Sequence, residues 1–225
     1  MLAMVMDTVM DTDMVMDMVD KHSTLEGIVN VIYNGGVKRI LDITFALIVL
    51  IVFLIPGVII ALIVKFTSPG PVFFRQLRYG KNSEQFTILK FRTMSNDAPV
   101  LSNQEFADIE SFVTPIGNIL RKSSLDEIPQ VINILKGDMS FIGPRPLADT
   151  DWTVIQLRKK NGSDKIRPGI TGWAQVNGRN NITDKEKAAY DYEYYKLMSP
   201  NIDFDIVLRT IKNIIQSKDI YKNNH

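Results

Sequence analysis

The chain has 225 residues, 45% of them hydrophobic, and a net charge of +1, which allows one domain with an anchor and lacks the basic excess of a nucleic-acid binder. It has no cysteine, and its two histidines, His22 and His225, lie near the ends. Disulfides, thiol catalysis and cysteine metal sites are excluded, a histidine centre is disfavoured, and any metal is expected to take oxygen ligands.

Residues 1–20 hold seven of the ten methionines and five aspartates, with no Lys or Arg. Near-repeats of Met-Val-Met-Asp give low complexity without a helical face. The segment also lacks the basic start and apolar core of a signal peptide. It reads as part of a poorly ordered extension over residues 1–35.

Residues 43–64 run for 22 positions without a charge. A straight helix of that length reaches about 33 Å, enough to cross a bilayer core. Pro56-Gly57 interrupts the run and predicts a kink or break around Ile55-Pro56-Gly57. Lys38 and Arg39 precede the run and Lys65 follows it. Positive charge marks the cytoplasmic flank, so flanks of the same sign predict a segment, residues 36–66, that enters one leaflet and returns. A kinked spanning helix is the alternative.

The remainder, residues 67–217, reads as a cytoplasmic domain, followed by a polar tail over 218–225. Ser68-Pro69-Gly70-Pro71 is a turn cluster. Val72–Phe74 and Phe86–Leu89 read as two short strands around the polar loop Tyr79–Gln85. Phe73 and Phe74 suit either the sheet or a lipid interface. Lys90 and Arg92 alternate with apolar neighbours, as basic side chains at a strand end do. A polar loop, Asn96–Ser111, follows. Ile116, Ile119 and Leu120 then begin a helical pattern that leads to Arg121.

The richest stretch is Arg121–Pro146. Leu125, Ile128, Val131, Ile132 and Leu135 recur at helical spacing, and Pro129 suits a first helical turn. A helix is therefore predicted to start near 125–129, with Asp126 and Glu127 beside its positive end. Charged carboxylates there suit a nucleophile or a magnesium ligand. Ser124-x-x-Glu127 equally fits a capping box, which needs no function. Gly137 fits the helix C-cap. In Gly143-Pro144-Arg145-Pro146 the two prolines hold the Arg145 backbone extended, which suits phosphate binding or a rigid surface turn.

Trp152–Lys160 reads as a solvated helix ending at Asn161-Gly162. Residues 167–179, RPGITGWAQVNGR, read as a Gly-rich loop with phosphate donors in Arg167 and Arg179; Walker and dinucleotide spacings are missing. Two helices follow over 184–216. The first clusters Tyr190, Tyr192, Tyr194 and Tyr195. The second carries the apolar stripe Phe204, Val207, Leu208, Ile211, Ile214 and Ile215, predicted to pack on the domain or lie in a membrane interface.

The stretch LRKSSLDEIPQVINILKGDMSFIGPRP closely resembles the core of the bacterial sugar transferase family, the small monotopic phosphoglycosyl transferases. RPGITGWAQVNGR, KFRTM (90–94) and the Lys-Arg-x-x-Asp start at Lys38, Arg39 and Asp42 match the same family in family order, over about residues 36–216. Where the family breaks its membrane helix at Ser-Pro, this chain has Ile55-Pro56.

The resemblance implies a mostly helical α+β fold with a small β-hairpin, a re-entrant helix–break–helix and interfacial amphipathic helices. It implies an enzyme of the inner membrane's cytoplasmic face that moves a sugar-1-phosphate from a UDP-sugar to polyprenyl (undecaprenyl) phosphate, releasing UMP. Asp126 would form a covalent phosphosugar ester. Glu127, with Asp126, would hold Mg²⁺. Arg145, Arg121, Arg167, Arg179, Lys90 and Arg92 would bind phosphates. The bilayer is then a partner, nucleic acid is not, and a homo-oligomer stays open. A membrane-attached Mg²⁺-dependent phosphatase or diphosphatase and a non-catalytic assembly subunit are the alternatives.

Overall fold

A computed structural model of the chain describes residues 27–98, 111–178 and 182–222. The expectations for residues 1–26, for most of the loop Asn96–Ser111 and for Arg179 lie outside these. Helix α1 (Gly27–Val52) and α2 (Leu54–Thr67) meet at a bend of 62°. No single described helix is long and apolar enough to cross a membrane, but the bent pair passes by length and composition together. Residues 27–35, expected in the poorly ordered extension, are helical, and the chain kinks at Gly36 (φ 176°, ψ −31°) before the apolar run.

The bend falls at Phe53 (φ −95°, ψ 9°), three residues before the Pro56 that was expected to mark it. Pro56 causes it from a distance. Its ring clashes with the carbonyl four residues back, that of Val52, and it has no N–H to offer there. The chain therefore breaks at 52–54, and Pro56 lies in the first turn of α2, where it is tolerated. The helical ladder resumes from Gly57 N–H to Phe53 O at 2.7 Å.

Both limbs are fastened at their feet to the rest of the protein. On α1, Lys38 pairs with Asp203 at 2.5 Å. Arg39 donates to the carbonyls of Ile134 and Leu135 at 2.6 and 3.1 Å. The buried Asp42 accepts from Ser140 Oγ and Phe141 N–H at 3.0 and 3.1 Å. The Lys-Arg-x-x-Asp pattern is thus a set of three locks. On α2, Arg92 Nη2 donates to Val64 O, Ser68 O and Ser68 Oγ at 3.3, 2.7 and 2.6 Å, satisfying carbonyls that the helix end leaves open.

Strands β1 (Phe73–Tyr79) and β2 (Gln85–Phe91) pair antiparallel, with Phe73 opposite Phe91 and Tyr79 opposite Gln85. The hairpin is longer than expected, because Tyr79 and Gln85 are strand residues and the loop shrinks to 80–84. Asn82 and Ser83 both take left-handed φ near 56° there, which closes a tight turn. Helix α3 (Pro115–Ser123) is capped by Thr114 Oγ, which accepts from Gly117 N–H at 3.0 Å. A 3₁₀ turn (Leu125–Glu127) and α4 (Gln130–Lys136) follow.

Next come β3 (Ser140–Ile142), α5 (Trp152–Asn161), β4 (Gly169–Thr171), α6 (Trp173–Gly178), α7 (Asp184–Leu197) and α8 (Pro200–Lys222). Residues 169–178 are therefore mostly strand and helix, not loop. Strands β3 and β4 pair in parallel, and their close approach explains two motif glycines. A Cβ at Gly169 would meet Gly143 N at 2.1 Å, and one at Gly172 would meet Gly143 O at 2.1 Å. The glycines of the two motifs serve this contact. Helix α8 runs to Lys222, past the Lys218 start expected for the tail.

The core joins the bent helix pair to the rest of the fold. Ala46 on α1, Ile88 on β2, Val131 and Ile134 on α4, and Met139 form one buried cluster. Val64, Phe91 and Leu120 form another between α2, β2 and α3. A full-size side chain such as Ile134 contributes about 1.5–3 kcal/mol by leaving water. Helix α5 is less solvated than expected: Val154, Ile155 and Arg158 are buried. Arg158 pairs with buried Asp191 of α7 at 2.7 Å. The tyrosine cluster divides. Tyr194 is buried and donates to Asp203 Oδ1 at 2.6 Å, while Tyr192 is exposed. Helix α8 turns Asp203 and Ile206 inward. Its stripe faces outward, with Phe204, Val207, Leu208, Ile211, Ile214 and Ile215 all exposed.

Candidate active site

Asp126 and Glu127 sit in the 3₁₀ turn, not in the first turn of α4, which begins at Gln130 behind its N-cap Pro129. Ser124 ends α3 in a left-handed conformation (φ 57°) and starts the turn. It makes no side-chain cap, so the capping-box explanation of Glu127 does not hold. The Glu127 carboxylate instead meets Lys90 of β2 at 2.5 Å, with about a fifth of each side chain exposed.

Asp126 is buried, 9% exposed. Burial pushes its carboxyl above the ordinary carboxylate range, and Lys90 pulls it back. Glu127 then raises it, while a backbone hydrogen bond and Arg121 lower it. The site therefore holds a carboxylate short of water, kept ionisable by two cations. A poorly solvated carboxylate beside cations suits nucleophilic attack on a phosphoryl group.

Asn133, which sequence reasoning missed, fixes this arrangement. It is 1% exposed. Its Oδ1 accepts from Leu89 N–H at 3.1 Å, and its Nδ2 donates to Thr87 O at 2.8 Å and to Asp138 Oδ2 at 3.2 Å. The side chain thus stands in for a neighbouring strand on the outer edge of β2. It locks α4 to the strand that carries Lys90. A lone amide between Ile132 and Ile134 was the available signal.

Arg121 lines a cleft of about 800 Å³ between α3, α6 and α8, together with Ser124, Thr171, Gln175 and Thr210. Its Nε donates to Thr93 Oγ1 at 3.0 Å, which gives the threonine of KFRTM a role. The cleft adjoins the Asp126 turn through Arg121 and Ser124, and its size suits a nucleotide-sized ligand.

The other basic residues are placed elsewhere. Arg92 is buried at the foot of α2, as described. Arg167 donates from Nε to Gly137 O at 2.9 Å, closing the end of α4. Arg145 is exposed and stands near Arg78, whose guanidinium is pushed down by burial and then by Arg145. Its carbonyl accepts from Arg158 Nη1 at 3.0 Å. Arg78 stands opposite Phe86, four residues along β2 from Lys90. The structure thus gathers Asp126, Glu127, Lys90 and Arg121, while Arg92 and Arg167 bond to carbonyls at helix ends and Arg145 stands with Arg78.

Among the described residues no group of three or more acidic or histidine side chains is placed to hold a metal. The Asp126–Glu127 pair still fits magnesium by its chemistry. That ion commonly takes one or two carboxylates and completes its shell with water and substrate phosphates.

Comparison with known proteins gives a consistent picture. The sequence model described as bacterial sugar transferase matches residues 33–217. An uncharacterized sugar transferase, EpsL, of Bacillus subtilis is 37% identical over 84% of this chain and 92% of its own length. A UDP-glucose:undecaprenyl-phosphate glucose-1-phosphate transferase of Caulobacter vibrioides is 37% identical over 82% of this chain and 72% of its own. A UDP-N-acetylgalactosamine-undecaprenyl-phosphate N-acetylgalactosaminephosphotransferase of Aeromonas hydrophila is 39% identical over 80% of this chain and 44% of its own.

Proposed function

The chain belongs to the bacterial sugar transferase family, and from that premise we propose that it moves a sugar-1-phosphate from a UDP-sugar to undecaprenyl phosphate, releasing UMP. The observation that carries the proposal is the placement of Asp126, buried between Lys90 and Arg121 beside the cleft.

Two displacements account for the reaction. Asp126 Oδ bonds to the phosphorus that bears the sugar, and the bond from that phosphorus to the UMP oxygen breaks. UMP leaves with the bond's electron pair. An oxygen of undecaprenyl phosphate then attacks the same phosphorus and frees the Asp126 carboxylate. Lys90 and Arg121 oppose the upward push of burial on that carboxyl and face the charge that builds on the phosphoryl oxygens. Mg²⁺, held by Glu127 and Asp126, would neutralise diphosphate charge when bound. Adjacent residues do not both aim at one phosphorus atom, so Glu127 takes the binding role and Asp126 the bond.

The anchor brings the two substrates together. A 62° bend set symmetrically in the bilayer inclines each limb by about 31°. The 14 residues of α2, about 21 Å long, then descend only about 11 Å. That depth lies within one leaflet of a hydrocarbon core about 30 Å thick. Both feet are clamped to the same catalytic domain, which favours a segment that enters and leaves on the cytoplasmic face. The outward stripe of α8 suits the interface plane beside it. Asp126 then works where a water-soluble donor meets a lipid-bound acceptor.

The test is UMP release by the membrane-bound protein with a panel of UDP-sugars, Mg²⁺ and undecaprenyl phosphate, beside Asp126→Asn. UMP from one or two sugars, lost in the variant, is the expected result. Release of free phosphate or sugar phosphate without lipid-linked sugar would point to the hydrolase alternative. Turnover by Asp126→Asn at the wild-type rate would refute the covalent mechanism.

A further inference from the structure

The α6 wall of the cleft holds a buried amide with no hydrogen-bond partner among the described residues. Gln175 lines the cleft, and its Nε2 and Oε1 are both buried without a hydrogen-bond partner among the described residues. Buried amides are nearly always paired, so one left with both ends open calls for an explanation.

Its surroundings show that it is held in place. Gln175 lies on α6, between two anchored residues. Trp173 Nε1 donates to Glu193 Oε2 at 2.9 Å, and the Trp173 ring carries the Arg209 guanidinium at 5.3 Å. Asn177 Nδ2 donates to Trp173 O at 2.9 Å, and its Oδ1 accepts from Arg209 Nη1 at 3.1 Å. Residues 173 and 177 share one side of a helix, and residue 175 falls about 200° round from 173. The contacts of Trp173 and Asn177 with Glu193 and Arg209 therefore leave Gln175 on the other side of α6, where it lines the cleft together with Thr210 of α8. Its amide lies against Gly172, where a Cβ would come within 2.9 Å of Oε1.

We propose that Gln175 grips the uncharged, hydrogen-bonding part of the donor substrate while Arg121 faces its phosphates. An amide offers both a donor and an acceptor. A phosphate offers acceptors only and leaves Oε1 unsatisfied. The imide edge of uracil and the hydroxyls of a sugar each present donors and acceptors together, so either satisfies both ends of the amide. The wall beside Gln175 has the same character, since Thr171 and Thr210 share a hydrogen bond of 2.7 Å there. The inference rests on the transferase reading above and adds a donor-positioning residue to it.

The experiment is calorimetric titration of the full-length protein in detergent with the UDP-sugar panel and with UMP. Wild type, Gln175→Leu and the shape-preserving Gln175→Glu are compared, with undecaprenyl phosphate KM as a control. Loss of a two-ended hydrogen-bonding contact predicts that both variants bind the donor about 10-fold or more weakly, with the acceptor KM unchanged. Equal weakening of UMP places the contact on the base; unchanged UMP binding places it on the sugar. Donor affinity within twofold of wild type in both variants, or donor and acceptor constants moving together, would overturn the inference while UMP release by wild type left the transferase reading intact. A wild type that neither binds a UDP-sugar nor releases UMP would overturn both.

Discussion

Replacing Asn133 tests how the fold builds the site. In Asn133→Ala, Leu89 N–H and Thr87 O lose their partner, in a place where Asn133 itself is 1% exposed. Each stranded backbone group costs about 1–3 kcal/mol, so a loss of about 3 kcal/mol is expected. For a chain of this size that is about 6–12 °C in Tm. The freed edge of β2 also carries Lys90, so turnover is expected to fall further than stability requires. Asn133→Asp separates the contributions: it still accepts from Leu89 N–H but does not donate to Thr87 O, and it places a charge beside Asp138. Thermal unfolding followed by circular dichroism, with UMP release on protein that remains folded, reads both effects. An Asn133→Ala chain that melts within 2 °C of wild type at full turnover would refute the reasoning.

Three further outcomes follow from the same geometry. Burial raises the Asp126 carboxyl above its unfolded value, so folding favours its protonated form, and that stability is lost as pH rises through the raised folded value. Asp126→Asn should therefore melt higher than wild type at neutral pH, by about 2–4 °C per 1 kcal/mol relieved, with the gain shrinking as pH falls into the ordinary carboxylate range. Arg158→Leu strands buried Asp191 and should cost about 3–5 kcal/mol, whereas the double change Arg158→Leu/Asp191→Leu should cost less than either single one in a double-mutant cycle. Pro56→Leu removes the clash with Val52 O and restores an N–H; spin labels at Gly27→Cys and Phe66→Cys in this cysteine-free chain should then move apart as the 62° bend opens, and an unchanged distance would contradict the bend mechanism.

Much of this architecture was legible in the residues because local rules decided it. The apolar run with its proline, helix α5 with its end at Asn161-Gly162, the hairpin and the Asp126–Glu127 pair all follow from spacing and turn chemistry. What escaped depends on contacts distant in sequence. The break moved to Phe53 because a proline acts on the carbonyl four residues behind it. The glycines of 167–179 suggested a ligand loop, yet Gly169 and Gly172 serve the approach of Gly143, across more than 20 residues. The family resemblance suggested Arg92 and Arg167 as phosphate binders; what the sequence did not show is that Arg92 Nη2 reaches Ser68 O at the end of α2 and Arg167 Nε reaches Gly137 O at the end of α4. Asn133 gave only a polar interruption in an apolar stripe, and its partners on β2 lie 44 and 46 residues away.

The central claim is that Asp126 carries the sugar phosphate. The most direct measurement incubates the membrane-bound protein with the competent UDP-sugar and Mg²⁺ but no undecaprenyl phosphate, quenches it in acid, and maps the modified peptide by mass spectrometry. A burst of UMP close to one per chain, with the added phosphosugar on the peptide that contains Asp126, is the predicted result. UMP release that strictly requires the lipid acceptor, with an unmodified Asp126 peptide, would contradict it and favour a direct, single displacement.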